Sequence, residues 1–173
     1  MSIKEEQLSN IEPNSIPSAR GMTFGIVVSS WNMKITEALY KGCYETLIKA
    51  ESSDDCLIRY DVPGSFELPL GAQFLSEYKR VDAVICLGCV IKGDTKHNEY
   101  ISTAVANGLT KLSLKYNKPF VFGVLTPDNE EQALDRSGGK YGNKGVEAAV
   151  TAIQMLHLKN AVKNGTSNSG KLP

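Results

Sequence analysis

Residues 92–97, KGDTKH, combine groups that can bind an anion with a group that can transfer a proton. Gly93 lets a ligand approach the main chain closely, and Asp94 and Thr95 add polar groups and exposed amides. A helix is predicted to begin near His97, and the positive end of a helix attracts anions such as phosphate. Because neutral imidazole exchanges protons near pH 7, the pattern predicts phosphate binding beside a proton shuttle. The alternative is a surface histidine at a helix start.

Two earlier loops carry candidate binding residues. Trp31, the only tryptophan, is either a stacking platform for a heterocycle or a core aromatic, and Asn32 after it is a candidate helix N-cap. In residues 63–69, PGSFELP, Ser65 is a second candidate N-cap. Glu67 either favours the helix dipole or binds a polyol. The residues alone leave these alternatives open.

Residues 135–145, DRSGGKYGNKG, place Arg136, Lys140 and Lys144 just before a predicted helix. Cations at a helix N-terminus oppose its dipole, which indicates that an anion is expected nearby. The glycine spacing matches neither a Walker loop nor G-x-G-x-x-G, so it gives no support to nucleotide binding. A solvated basic turn is the alternative.

Cys86 and Cys89 form a C-x-x-C pattern inside the apolar run VDAVICLGCVI. Residues three apart on a strand point to opposite faces, so these thiols are predicted to be core residues and not a metal or redox pair.

Four β-rich runs, residues 22–30, 56–62, 82–91 and 119–126, alternate with segments of helical spacing. Their near-continuous apolar character predicts strands covered on both faces. We therefore predict an α/β fold, a three-layer α/β/α sandwich around a four-stranded, mostly parallel sheet. Ligands of such sheets bind beyond the carboxyl ends of the strands, where the candidate loops lie. The helical spacing is carried by Ile35, Leu39, Cys43 and Leu47, by Ile101, Val105, Leu109 and Leu112, and by Val146, Val150, Ile153 and Leu156.

The chain length of 173 residues favours one domain, and 19 basic side chains balance 19 acidic ones. This balance predicts no binding to nucleic acid or to a membrane surface. No run is long and apolar enough to cross a membrane, and residues 1–10 do not resemble a signal peptide, so we expect a soluble, cytoplasmic protein. The predicted organisation is a polar N-terminal arm (1–20), one domain (21–162) and a flexible tail (163–173).

In their order along residues 20–160, the segments SSWNMKITEAL, VPGSFELP, GCVIKGDTKHNEYI, FGVLT and ALDRSGGKYGNKGVEAA resemble the 6,7-dimethyl-8-ribityllumazine synthase family. The resemblance implies a flavodoxin-like fold. It also implies the penultimate step of riboflavin biosynthesis, a metal-free and cofactor-free condensation of 5-amino-6-(D-ribitylamino)uracil with 3,4-dihydroxy-2-butanone 4-phosphate that releases phosphate and water.

The resemblance also implies roles for particular residues. His97 would shuttle protons, and Trp31 would stack on the pyrimidine. The other implied substrate contacts are Asn32, Ser65, Phe66 and Glu67 for the ribityl chain, Cys89, Val90 and Ile91 for the pyrimidine edge, Asp94, Thr95 and Arg136 for the phosphate, and Phe122 and Lys144 for enclosing the substrates. Many family members carry phenylalanine at the position of Trp31. The carboxylate of Asp94 would repel phosphate, so we expect its amide to make the contact.

Family members are homo-oligomers built from pentamers with active sites between subunits, so Phe122 would reach into a neighbour's site. Single pentamers, stacked pentamers and larger shells all stay open for this chain. The resemblance further implies a functional link to riboflavin synthase. The rival interpretations are a non-catalytic flavin- or ribityl-binding module, a shell protein on the same fold, and a receiver-like signalling domain. The last needs an acidic cluster where this chain has Ser29 and Ser30.

Overall fold

Four parallel strands form the central sheet in the computed structural model, which describes residues 16–166. The strand order is β2-β1-β3-β4, and every neighbouring pair is parallel. Most of the predicted arm (residues 1–15) and most of the predicted tail (residues 167–173) lie outside the described residues. The strands are β1 (Phe24–Ser29), β2 (Leu57–Val62), β3 (Ala83–Cys89) and β4 (Phe120–Leu125).

Helices cover both faces of this sheet, as the predicted α/β/α sandwich requires. Helices α1 and α5 pack on one face, and α2 and α3 pack on the other. A short antiparallel pair, β5 (Ser137–Gly139) and β6 (Gly142–Asn143), precedes α5. The helices are α1 (Met33–Lys49), α2 (Leu68–Tyr78), α3 (His97–Tyr116), α4 (Glu130–Asp135) and α5 (Lys144–Lys163). The flavodoxin-like fold class is confirmed.

Successive residues of β3 enter opposite layers of the core. Ile85, Leu87 and Cys89 are buried against α1 and α5, whereas Val84 and Cys86 are buried against α2 and α3. This alternation follows from the period of two along a strand. It confirms that the two cysteines are core residues on opposite faces. Within residues 16–166, no group of three or more His, Cys, Asp or Glu side chains is placed to hold a metal ion.

The second strand departs from the prediction that all four strands are covered on both faces. β2 lies at the edge of the sheet, and Tyr60 is half exposed. Arg59 donates hydrogen bonds to Glu37 on α1 (3.0 Å) and to Asp61 (2.8 Å), so charged groups occupy this edge. The prediction was wrong here because β2 has a hydrogen-bonded neighbour on one side only. Solvent reaches the other side of the strand, and charged residues suit such an edge.

The segment before β1 is attached to the domain. Ala19, which falls inside the predicted arm, is buried, and its N–H donates to the oxygen of Ala50 over 2.6 Å. The ring Nε2 of His157 on α5 lies 2.7 Å from the oxygen of Ser18. None of the helices described for residues 16–166 has the length and apolar character to cross a membrane.

Candidate active site

A cavity of about 730 Å³ lies at the carboxyl edge of the sheet, where the loops after β1, β2 and β3 meet the start of α3. Its position agrees with the rule that such sheets bind ligands beyond the carboxyl ends of their strands. The cavity brings together most of the predicted site residues: Trp31, Asn32, Ser65, Phe66, Glu67, Cys89, Val90, Ile91, Thr95 and His97.

Two aromatic rings stand exposed at this cavity. Trp31 is 71% exposed and Phe66 is 59% exposed, although both line the cavity wall. The interpretation of Trp31 as a core aromatic is therefore wrong. Large apolar side chains left open beside a concave surface offer stacking area to a flat ligand.

Asn32 joins two of the loops. It holds the left-handed conformation (φ 60°, ψ 46°), and its main-chain oxygen accepts from Ile35 (2.9 Å) and Thr36 (3.1 Å) at the start of α1. Its side chain makes no capping bond in the described structure, so the N-cap prediction is correct for the position and wrong for the side chain. Instead the amide Nδ2 donates to the oxygen of Cys89 over 3.0 Å.

The second loop forms a single 3-10 turn, Ser65–Glu67, that leads directly into α2. The N-cap prediction for Ser65 is wrong, because the capping position of α2 is Glu67 and that of the 3-10 turn is Gly64. The Ser65 hydroxyl is buried and has no hydrogen-bond partner among residues 16–166. Phe66 and Glu67 line the cavity.

The third loop leads into α3, which begins at His97 as predicted. The Thr95 hydroxyl accepts from the N–H of His97 at 3.4 Å, and both side chains line the cavity. The first N–H groups of a helix have no acceptor within it, so the start of α3 can receive an anion. Asp94 is exposed and does not contribute to the cavity wall.

Cys89 closes the inner wall of the cavity. Burial raises the pKa of its thiol to about 11, so the side chain is neutral at physiological pH. Beyond it, the N–H of Val90 donates to the oxygen of Leu125 on β4 over 2.8 Å. The cavity wall at this strand end is therefore uncharged and hydrogen-bonded to β4.

Phe122, Lys144 and Arg136 form a separate group. Phe122 and Lys144 line a second cavity of about 860 Å³ along β4 and α5, and the two cavities have no lining residue in common among those described. The Arg136 guanidinium lies 2.8 Å from a carboxylate oxygen of Glu147, and Lys144 Nζ donates to the other oxygen over 3.0 Å. A single chain thus holds these predicted residues as two groups.

The residues of both groups fall within the part of the chain that matches a known family of proteins. A sequence model described as 6,7-dimethyl-8-ribityllumazine synthase matches residues 21–160. The chain belongs to the 6,7-dimethyl-8-ribityllumazine synthase family. A protein of that name from Cytophaga hutchinsonii is 55% identical over 156 residues, covering 90% of this chain and 98% of the relative. Its counterpart from Parabacteroides distasonis is 50% identical over 158 residues, covering 91% and 99%.

Within this lumazine synthase family member, Glu147 is a residue that the sequence predictions missed. Its side chain is only 9% exposed, and it contacts both Arg136 and Lys144. A carboxylate three residues after a lysine on a helix is the available signal, because such pairs share one helix face. Buried between two cations, Glu147 fixes the position of both.

Asn143 is a second missed residue, and it anchors the turn that carries Arg136 and Lys144. Its Oδ1 accepts from Gly145 N–H at 2.8 Å, and its Nδ2 donates to oxygens of Ala38 (3.0 Å) and Ser137 (3.1 Å). An asparagine before a helix is a favoured N-cap, which is the signal that predicts it.

The start of α3 adds three further residues to the wall of the first cavity: Asn98, Tyr100 and Ile101.

Proposed function

We propose that this protein condenses 5-amino-6-(D-ribitylamino)uracil with 3,4-dihydroxy-2-butanone 4-phosphate to 6,7-dimethyl-8-ribityllumazine, releasing phosphate and water in riboflavin biosynthesis. Family membership supports the reaction. The observation that carries the assignment of the site is the meeting of Trp31, Glu67 and His97 on one cavity. A non-catalytic binding module would need the first two residues but not a histidine at a helix start.

The aminouracil substrate binds on the side of the cavity formed by the first two loops. The pyrimidine stacks on Trp31, and its edge meets the main chain of Cys89, Val90 and Ile91. The carboxylate of Glu67 accepts hydrogen bonds from ribityl hydroxyls, and Phe66 covers the chain. One N–H of the Asn32 amide donates to Cys89 and orients the group, and its side-chain oxygen accepts from a further ribityl hydroxyl.

The phosphate substrate binds at the start of α3. Amides near Asp94 and Thr95 and the helix dipole hold the phosphate, and this places the carbonyl carbon beside His97. The amine of the first substrate attacks that carbonyl, and His97 transfers protons as the imine forms, as phosphate leaves and as the ring closes. Holding the two reactants side by side supplies much of the acceleration.

Arg136, Lys144 and Phe122 complete the site from a neighbouring subunit. This proposal is supported by their separation from the first cavity within one protomer and by the openness of Trp31 and Phe66. A guanidinium already oriented by Glu147 can grip phosphate with two parallel hydrogen bonds. We propose that the subunits assemble into pentamers. We also propose a functional link between this protein and riboflavin synthase.

Incubating the protein with both substrates and following lumazine absorbance tests the reaction directly. Absence of product from folded protein would contradict the proposed function, and product formation would exclude the non-catalytic alternatives. The same assay with each substrate alone is the control for background chemistry.

Mixed oligomers test the shared site. His97→Ala and Arg136→Ala subunits, each poorly active alone, are unfolded together and refolded as an equal mixture. If each site takes His97 from one subunit and Arg136 from the next, about one quarter of the sites regain both residues by random mixing. A mixture no more active than the average of the two variants would place both residues in one subunit.

A further inference from the structure

Gly88 lies in β3 where the Ser65–Glu67 turn packs on the sheet. We infer that Gly88 is a positioning residue for the ribityl-binding turn, because the space of its missing side chain holds the Ser65 hydroxyl. The inference rests on the proposed function, since it concerns the binding of the aminouracil substrate. Gly88 itself does not line the cavity.

The contact between the two residues is unusually close. A Cβ at position 88 would lie 2.6 Å from Ser65 Oγ, closer than real Cβ atoms approach their neighbours. It would lie 3.0 Å from Leu68 Cδ1, the end of a flexible side chain, and 3.4 Å from Ser65 Cβ, an ordinary contact. The Ser65 hydroxyl is therefore the group that leaves no room for a side chain at position 88.

Backbone conformation does not explain a glycine here. The main chain at Gly88 keeps the ordinary conformation of a strand, without a positive φ. Glycine inside a strand weakens it and commonly marks a place where another part of the chain approaches closely. On the same face of β3, Val84, Cys86 and Val90 all carry buried side chains, so Gly88 forms a local depression.

The depression determines how deep the turn sits. Ser65 is only 6% exposed and starts the turn, which is closed by the N–H of Glu67 donating to the oxygen of Gly64 over 3.2 Å. Lifting Ser65 off the sheet therefore carries Phe66 and Glu67 with it. Because misplacing a binding group by about 1 Å can cost up to about 10²-fold, a small lift weakens recognition of the ribityl chain.

Gly88→Ala is expected to raise KM for the aminouracil substrate about tenfold, with little change in KM for the butanone phosphate. Gly25→Ala is the matched control, because it adds a methyl group in β1 at 3.1 Å from Leu75 Cδ1 and outside the cavity wall. That control should lower stability without changing the ratio of the two KM values. A merely structural effect of Gly88→Ala would behave like the control and would overturn the inference.

The deciding comparison is Gly88→Ala/Ser65→Ala against Ser65→Ala alone. Without the hydroxyl, the one close contact that remains for the added methyl group is Leu68 Cδ1 at 3.0 Å, and the flexible end of that side chain can move away. The two variants should therefore share one KM for the aminouracil substrate within about twofold. A tenfold difference between them would overturn the inference, even if Gly88→Ala alone did not fold. Titrating each variant with the ribityllumazine product and following the quenching of Trp31 fluorescence gives dissociation constants for the same comparison. Lack of turnover by the native protein would instead count against the proposed function.

Discussion

The side-chain amide of Asn32 donates to the main-chain oxygen of Cys89 over 3.0 Å and thereby connects the loop after β1 to the end of β3. The same residue starts α1 from the left-handed conformation. Trp31 precedes it directly, so the placement of the exposed ring depends on a residue that combines an unusual conformation with a bond between loops.

Replacing Asn32 separates these two contributions. Asn32→Ala loses a hydrogen bond and puts a less tolerant residue in the left-handed region, so we expect about 2 kcal/mol of lost stability. Asn32→Gly loses the same bond but accepts the conformation, and it should unfold at a higher urea concentration than the alanine variant. Equal midpoints for the two variants would show that the conformation contributes nothing.

Trp31 should act in binding and not in folding, because its side chain is 71% exposed. Its fluorescence should be quenched when the ribityllumazine product binds. Trp31→Ala should keep the native circular dichroism spectrum and weaken binding by about 1–3 kcal/mol, the value of stacking a base on an aromatic ring. Trp31→Phe is the matched control and should retain most of the affinity. Loss of the fold in the alanine variant would contradict a role in binding alone.

The two histidines give a matched pair for testing proton transfer. His97→Ala should keep its fold and substrate affinity but lose about one to two powers of ten in kcat, because binding still aligns the reactants. His157 lines neither cavity, so His157→Ala, which removes the contact with the oxygen of Ser18, should lower stability slightly and leave kcat unchanged. Similar kcat values for both variants would contradict the role of His97.

Arg136 and Lys140 distinguish a phosphate site from a solvated basic turn. Arg136 lies 2.8 Å from Glu147, whereas Lys140 is exposed with its Nζ 4.9 Å from the centre of the Tyr141 ring. Arg136→Ala should cost on the order of 2–4 kcal/mol of transition-state stabilisation, measured from kcat/KM at low butanone phosphate. Lys140→Ala should change this value little. Equal losses would favour general attraction by a basic turn.

Buried thiols make stability depend on pH in the alkaline range. Burial raises the pKa of Cys89 from 9.0 to about 11, so an unfolded thiol ionises before the folded one. The stabilisation that comes from keeping this thiol neutral is fully present below pH 9. It is lost as pH rises towards 11, by at most about 1.4 kcal/mol per pH unit. The free energy of unfolding, measured with urea, should fall more steeply over this pH range for the native protein than for Cys89→Ala. The same pH dependence of stability in both proteins would contradict the raised pKa of Cys89.

At neutral pH the same burial predicts which thiols react. Cys43, Cys86 and Cys89 are buried, and Cys56 is partly exposed. A colorimetric thiol reagent added to the folded protein at pH 8 should therefore modify Cys56 alone. Unfolding in urea should expose the other three thiols to the reagent. Rapid modification of Cys89 in the folded state would show that the cavity wall opens.

The amino-acid sequence by itself determined the layers of this protein. The four strands lie inside the predicted apolar runs, α3 begins at His97, and Cys86 and Cys89 enter opposite layers. These features follow from local periodicity, because a period of two or of 3.6 is written into neighbouring residues. The loop order also carried the family resemblance, and with it the reaction.

Only the tertiary structure decided what individual polar side chains do. Asn32 and Ser65 are both plausible caps in sequence, yet the first binds Cys89 from a distant strand and the second is pressed against Gly88. Arg136 and Lys144 are paired by Glu147 and held away from the first cavity. The physical reason is that a short polar side chain chooses among acceptors brought near by chain folding, and the identity of those acceptors is set by packing far along the chain.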